Sequence, residues 1–157
     1  MKKIFLTWAF ILLTASACTG VDTQVKKRWS NPENTLILTD LTSKDYEVKD
    51  AGLALMDALE DALIANSSFV IAHDAGRYQL KYKILNYNKG NRAARIATFG
   101  LMDSAKCELK VKVALYDGEN LVGGWVVESW QKDGIRSEET LFQKAAQDII
   151  AHLRGGF

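Results

Sequence analysis

Few residues of this sequence combine the types and the spacing that catalysis needs. The two histidines, His73 and His152, stand far apart in the chain, and His73 is followed by Asp74 with no nucleophile beside it. No group of His, Cys, Asp and Glu has metal-ligand spacing, and neither a G-x-S-x-G motif nor a phosphate-binding loop is present. A hydrolase built around His73 is the weakest of our hypotheses. The sequence predicts a protein that is not an enzyme and that uses no metal or dissociable cofactor.

Cys18 is the residue with the clearest chemical role. A positive start (Met1 to Lys3) is followed by an apolar run from Ile4 to Leu13 and then by small residues up to position 17. This arrangement is typical of a secretory signal, and the run is shorter than the roughly 20 residues of a membrane span. We therefore predict a cleaved signal peptide over residues 1–17.

Residues 15–18 (ASAC) resemble the lipobox of bacterial lipoproteins, although Ala15 stands where leucine is usual. The resemblance implies a diacylglycerol thioether on Cys18 and an N-acyl chain on its new amino terminus. Two or more chains anchor stably, because each buried methylene contributes about 0.8 kcal/mol. Thr19, rather than Asp, after the cysteine resembles the sorting pattern of Gram-negative lipoproteins and implies an outer-membrane anchor with the domain facing the periplasm. The alternative is an ordinary secretory signal with a chance cysteine.

Charge and cysteine content narrow the possible classes of protein. The formal net charge of +1 becomes −1 when Lys2 and Lys3 leave with the signal, which gives no reason to expect nucleic acid. Only Cys107 remains once Cys18 is acylated, so we expect no internal disulfide. The mature chain is long enough for one domain with its own core.

Residues 18–33 are polar and without a clear pattern, and we predict a flexible tether there. Residues 26–29 (KKRW) place three cations beside a tryptophan, which suits a membrane interface. A solvated linker kept extended by its charges is the alternative.

Residues 34–157 are predicted as a single α/β domain. We expect strands at 36–38, 69–72, 78–88, 105–116 and 121–132, because these segments are apolar or alternate between apolar and polar residues. Amphipathic helices are expected at 42–66 and from Ser137, as a cap, to Gly155. The fold class is α/β (α+β): a two-layer sandwich with a mixed, antiparallel-rich sheet of four to five strands and two helices packed on one face. The first two strands should pair in parallel across their helix.

The segment 87–95 (YNKGNRAAR) carries a family resemblance. Together with the alternating strand, the Asp-Gly turn, the next strand and the Ala-rich helix that follow, it resembles the bacterial envelope lipoproteins grouped as domain of unknown function 4410. The resemblance covers about residues 36–153 and implies a fold and an envelope location, but no activity. Residues 98–102 (TFGLM) hold one glycine where that family is glycine-rich.

Several residues are candidates for contact with a ligand or a partner. Arg92 and Arg95 could bind phosphate or carboxylate, or could pair with nearby acids. Phe99, Leu101 and Met102 would form a subunit or membrane contact if exposed, or part of the core if not. The outward lysines of two strands would form a basic sheet face or a merely solvated one; they are Lys81, Lys83, Lys106, Lys110 and Lys112.

Trp125 and Trp130 have opposite parity in one strand, so one of them must leave the core side. If that residue is Trp130, it is a plausible anchor for a partner. Two functions follow from these residues. The first is a non-enzymatic outer-membrane lipoprotein that serves as an accessory or scaffold in envelope assembly or export, with envelope proteins or further copies of itself as partners. The alternative is a module that binds an anionic envelope ligand such as lipopolysaccharide, a phospholipid headgroup or an acidic glycan.

Overall fold

The computed structural model describes residues 19–27, 35–42, 46–66, 69–97, 106–132 and 137–155. Within them the elements are β1 (Thr19–Lys27), β2 (Thr35–Asp40), α1 (Tyr46–Asn66), β3 (Val70–Ile71), β4 (Tyr78–Asn88), α2 (Arg92–Ala97), β5 (Cys107–Asp117), β6 (Asn120–Gln131) and α3 (Glu139–Leu153). The predicted α+β class is confirmed. The described sheet has six strands in place of four or five, and three helices are present in place of two.

The strands form one mixed sheet in the order β1-β6-β5-β4-β2-β3. β2 pairs in parallel with β3 and β4, because α1 carries the chain back along the sheet before β3 begins. The predicted parallel pairing is therefore confirmed. β4, β5, β6 and β1 pair antiparallel, and the turn between β5 and β6 places Gly118 at a φ of 61°, which favours glycine.

One face of the sheet carries the hydrophobic core. Alternate side chains of β4 and β5 point to this face and are at most 1% exposed: Tyr78, Leu80, Tyr82, Cys107, Leu109, Val111, Val113 and Leu115. α1 and α3 contact each other and cover this face, to which they contribute Leu59 and Ile149 among other buried side chains. Full burial of each such side chain contributes about 1.5–3 kcal/mol. No helix in the described ranges is long and apolar enough to cross a membrane.

The first strand corrects one of our predictions. We expected a flexible tether over residues 18–33, and this is wrong for residues 19–27, which form β1. β1 pairs with β6 along nearly its whole length and occupies one edge of the sheet.

A weak alternation explains why this polar segment becomes a strand. Val21 packs against the core, whereas Asp22 and Gln24 are exposed on the opposite face. Thr23 lies on the core side with Val21, and its hydroxyl donates a hydrogen bond to the Asp148 carboxylate on α3. β1 is therefore tied both to the sheet and to the helix layer.

The start of α3 corrects a second prediction. Ser137 is not the cap: Glu138 holds that position with a helical backbone and makes no capping hydrogen bond through its side chain. The first turn closes instead through the backbone, because the Ser137 carbonyl accepts a bond of 3.2 Å from the Thr140 N–H. The predicted end is confirmed at Gly155, which adopts a φ of 75° and donates its N–H to the His152 carbonyl.

Candidate interaction surface on the open face of the sheet

The sheet face opposite α1 and α3, which we call the open face, is rich in charged and aromatic side chains. Successive side chains of a strand point to opposite faces, so every second residue of β4, β5 and β6 lies here. β4 and β5 are neighbours, and the predicted set of outward lysines on these strands is brought onto one surface. The described open-face residues include Lys81, Lys83, Glu108, Lys110, Lys112, Tyr116, Glu128 and Trp130.

Trp130 is the tryptophan that leaves the core. Trp125 is buried under the helices at 2% exposure, whereas Trp130 is half-buried on the open face. Gly20 of β1 lies directly opposite, and a Cβ added there would come within 2.3 Å of the indole Cζ2. The indole therefore lies over the backbone of β1. The Lys106 Nζ is 5.8 Å from its ring centroid, which is within the range of a cation–π interaction.

A shallow groove of about 230 Å³ lies beside Trp130. Asn86 and two ion pairs line it: Lys106 with Glu108, and Lys110 with Glu128. Lys110, one of the predicted contact residues, is thus neutralised by a carboxylate on the neighbouring strand. The groove offers an aromatic ring, an amide and balanced charges, so it has little preference for an anion.

The uncompensated positive charge lies farther along the open face. Lys83 and Lys112 stand directly opposite each other on β4 and β5, and both are exposed. Like charges in this arrangement destabilise a sheet, and no ion pair joins either lysine to another residue in the described part of the chain. Lys81 is half-buried, with its Nζ 4.5 Å above the centroid of the Tyr116 ring.

The segment that carries the family resemblance forms a turn and the start of α2. The Gly90 N–H donates to Asn88 Oδ1 at 2.9 Å, and Gly90 takes a φ of 61°. The Ala94 N–H donates to Asn91 Oδ1 at 3.1 Å, so Asn91 caps α2. We did not predict this helix. The signal for it was an asparagine directly before a run of good helix formers.

Glu138 holds this segment against the start of α3. Its Oε2 accepts a hydrogen bond of 3.2 Å from the Tyr87 hydroxyl and lies 3.4 Å from Lys89 Nζ. The Tyr87 ring packs on Phe142 with centroids 5.5 Å apart. Burial, together with the negative charge of Glu138, raises the pKa of Tyr87 well above its usual range.

The remaining predicted contact residues are placed only in part. Arg92 is exposed in the first turn of α2. The Arg95 side chain, residues 98–102 with Phe99, Leu101 and Met102, and Cys18 all lie outside the described residues. A contact through these side chains stays a prediction.

The residues considered for catalysis do not converge. His73 is exposed between β3 and β4 and is not among the residues that line the groove. The His152 ring stacks on Trp125 with centroids 5.9 Å apart, and its Nδ1 is 2.8 Å from the Asp148 carbonyl oxygen. Cys107 is fully buried in the core. The described residues include no group of three or more His, Cys, Asp and Glu side chains that could hold a metal ion.

Comparison with known proteins identifies a shared fold. No family model and no curated protein matches the sequence. A structure of the PelC dodecamer from Paraburkholderia phytofirmans matches with a TM-score of 0.55 at 13% identity, over 87% of this chain and 97% of that chain. A variant of the PelC dodecamer gives a TM-score of 0.57 at 12% identity, over 86% and 98%. Identities this low establish similarity of fold.

Proposed function

We propose that this chain is an outer-membrane lipoprotein, acylated at Cys18, whose domain faces the periplasm as a non-enzymatic accessory or scaffold in envelope assembly or export. The observation that carries the proposal is the open face. Its polar and aromatic side chains are spread over a sheet face that no described helix covers, and they line only the shallow groove beside Trp130, as is typical of a surface that meets other macromolecules. In this proposal the fold is a two-layer sandwich, and its open face is the surface that binds partners.

Two further observations support the proposal. The resemblance of residues 87–95 to envelope lipoproteins of domain of unknown function 4410 agrees with the signal and lipobox at the amino terminus. The fold is shared with PelC, which forms a dodecamer. We therefore include self-association, alongside contact with other envelope proteins, in the proposed role.

Intact mass spectrometry of the protein isolated from native membranes tests the anchor. The expected product begins at Cys18 and carries a diacylglycerol thioether and an N-acyl chain. The matched variant Cys18→Ser should lose the acyl mass and leave the membrane fraction. A free thiol at Cys18, or an intact leader before it, would contradict the proposed lipoprotein.

The alternative function, binding of an anionic envelope ligand, is favoured by the Lys83 and Lys112 pair on the open face. An anion between the two ammonium groups would relieve their repulsion. Flotation with vesicles rich in anionic lipid should then show binding that weakens with salt and is lost in Lys83→Gln/Lys112→Gln. The exposed Lys49→Gln variant on α1 is the control. Arg92→Ala/Arg95→Ala tests whether the α2 segment takes part, and binding unchanged in both double variants would remove this function.

A further inference from the structure

From Asp50 onward, the outer side of α1 carries only negative charge; the exposed Lys49 lies one residue before this stretch. From Asp50 to Asn66 the helix has four acidic side chains and no lysine or arginine; the acids are Asp50, Asp57, Glu60 and Asp61. All but the half-buried Glu60 are exposed. No ion pair joins these acids to another residue in the ranges that the structure describes. This helix side is therefore an acidic surface without an internal partner.

Two apolar side chains flank the acids. Leu53 is 53% exposed and Ile64 is 78% exposed. Positions 53, 57, 60 and 64 are three or four residues apart, so they lie along one side of the helix. We call these residues, with Asp50 and Asp61, the α1 stripe. An exposed helix side with charges between two large apolar residues has the composition of a contact surface.

The open face has the complementary charge. Its glutamates Glu108 and Glu128 are occupied by Lys106 and Lys110, which leaves Lys83 and Lys112 without acidic partners among the described side chains. Lys112 lies directly opposite Val126 of β6, so an apolar side chain adjoins the lysine pair. The open face also holds the exposed Asp22 of β1, but β6 separates its strand from Lys112. The molecule thus presents an acidic helix side and, on the other face, the unpaired lysines of β4 and β5.

We infer that the chain assembles head to tail, with the α1 stripe of one copy seated on the open face of the next copy. The inference rests on the self-association included in the proposed function, and it names the two surfaces that meet. Asp57 and Asp61 of one copy face Lys83 and Lys112 of the other. Charge complementarity identifies the occupant as a second copy of this chain, because each copy carries both halves of the match.

The dimensions of the two surfaces agree. Eleven residue steps from Leu53 to Ile64 cover roughly 16 Å at 1.5 Å per residue. With Asp57 and Asp61 over the lysine pair, the stripe is centred on β4 and β5, and the four strands β2, β4, β5 and β6 cover roughly 14 Å at about 4.8 Å between neighbours. A helix of this length therefore spans these four strands.

The geometry also determines the type of assembly. α1 covers one face of the sheet and the lysines lie on the other, so each joined copy retains a free stripe on one side and a free open face on the other. Such a heterologous contact closes into a ring if the rotation permits and forms a filament otherwise. Pairing of identical surfaces is disfavoured, since it brings acid to acid or lysine to lysine.

Charge reversal on the acylated full-length protein in detergent tests this contact. A helix variant, Asp57→Lys/Asp61→Lys, and a sheet variant, Lys83→Glu/Lys112→Glu, should each weaken self-association about tenfold or more in sedimentation velocity. An equimolar mixture of the two variants should assemble again, because each then offers the other a complementary surface. A chain with all four changes should also assemble alone. The control, Asp74→Lys/Glu119→Lys, changes the same charges in exposed turns and should behave as wild type.

The results separate this contact from the proposed function as a whole. A wild-type protein that stays monomeric at low salt overturns both the self-association and the contact. An oligomer that survives both double variants keeps the self-association and overturns the contact. If the sheet variant loses binding to anionic vesicles while its assembly is unchanged, the open face serves an anionic ligand and the inference fails. Failure of the mixture to assemble, with both variants folded by circular dichroism, also overturns it.

Discussion

Two tyrosines of β4, the half-buried Tyr87 and the fully buried Tyr82, differ in what their hydroxyl groups meet. Tyr87 donates to Glu138, whereas the fully buried Tyr82 hydroxyl has no hydrogen-bond partner among the described residues. A buried polar group without a partner costs about 1–3 kcal/mol, and a satisfied one contributes about 1 kcal/mol. The same chemical change should therefore have opposite effects at the two positions.

Removal of each hydroxyl tests this difference. Tyr82→Phe should leave the free energy of unfolding unchanged or raise it, since only an unsatisfied group is lost. Tyr87→Phe should lower it by about 1 kcal/mol, because Glu138 loses the hydroxyl donor and keeps Lys89 alone. Urea denaturation followed by circular dichroism measures both values. A clear loss of stability in Tyr82→Phe would show that the Tyr82 hydroxyl makes a stabilising hydrogen bond, which would contradict this prediction.

The two tyrosines also make the fold sensitive to alkali. Burial, followed by the negative charge of Asp40, raises the pKa of Tyr82, and burial beside Glu138 raises that of Tyr87. A tyrosine of the unfolded chain ionises near pH 10. Stability is therefore full below about pH 10, and it falls as pH rises further because the unfolded chain loses these protons first.

This loss should be smaller in Tyr82→Phe than in wild type. Denaturation midpoints at a series of pH values from 8 to about 12 would show it, with phenolate absorbance reporting which tyrosines have ionised. Lysines titrate in the same range in both proteins, so the difference between the two curves isolates Tyr82. Parallel curves would contradict the assigned shift.

At the scale of elements, the edge strand β1 depends on a glycine. The Gly20 Cα lies under the Trp130 indole, with no room for a Cβ unless the ring moves. Gly20→Ala should cost about 1–3 kcal/mol and shift the tryptophan fluorescence. Trp130→Ala should suppress most of that cost in the double variant. Gly124→Ala on β6 is the control, because a Cβ there meets only ordinary contact at 3.6 Å.

A double-mutant cycle by thermal or urea unfolding gives the coupling between the two positions. Additive effects of Gly20→Ala and Trp130→Ala would show that the indole does not cover β1. Hydrogen exchange along β1 adds an independent readout, since the strand should open more readily when its cover is displaced.

The elements differ in how well their sequence predicts them. Leu80 and Val111 belong to long alternating runs, so β4 and β5 and their buried sides were predictable. β1 was not predictable, because the polar Thr23 stands on its core-facing side, where the pattern of a strand calls for an apolar residue. This strand is stabilised by its neighbours, β6 and α3. α2 is short and charged, and the only signal for it was Asn91 before a run of helix formers. Tertiary contacts therefore decided β1, whereas a local cap marks the start of α2.

The candidate surface was predictable in its composition but not in its pairing. Parity alone predicted that Trp125 and Trp130 would separate. The neutralisation of Lys110 by Glu128 depends on a register shift in the β5–β6 hairpin between Leu115 and Tyr116. An unshifted hairpin would place Val127 opposite Lys110. A single extra residue in a strand thus changes which charges cancel, and no local pattern records it.

At the scale of the whole molecule, the two cysteines report the proposed modification. Cys107 is fully buried and Cys18 is the proposed acylation site, so the native protein should react with no thiol reagent. After unfolding in guanidinium, one equivalent should react. Cys107→Ala should then give none, while Cys18→Ser should keep one. Two reactive thiols in the unfolded wild type would contradict acylation.

The position of β1 limits how far the proposed lipoprotein can reach. Thr19, one residue after Cys18, is already paired with Gln131, so about 3.8 Å of backbone separates the acylated residue from the sheet. A linker this short keeps the domain next to the lipid headgroups. The far end of the domain then lies no farther from the leaflet than roughly the length of β6, about 40 Å for 12 residues. Any partner of the proposed lipoprotein must therefore bind it within about this distance of the membrane.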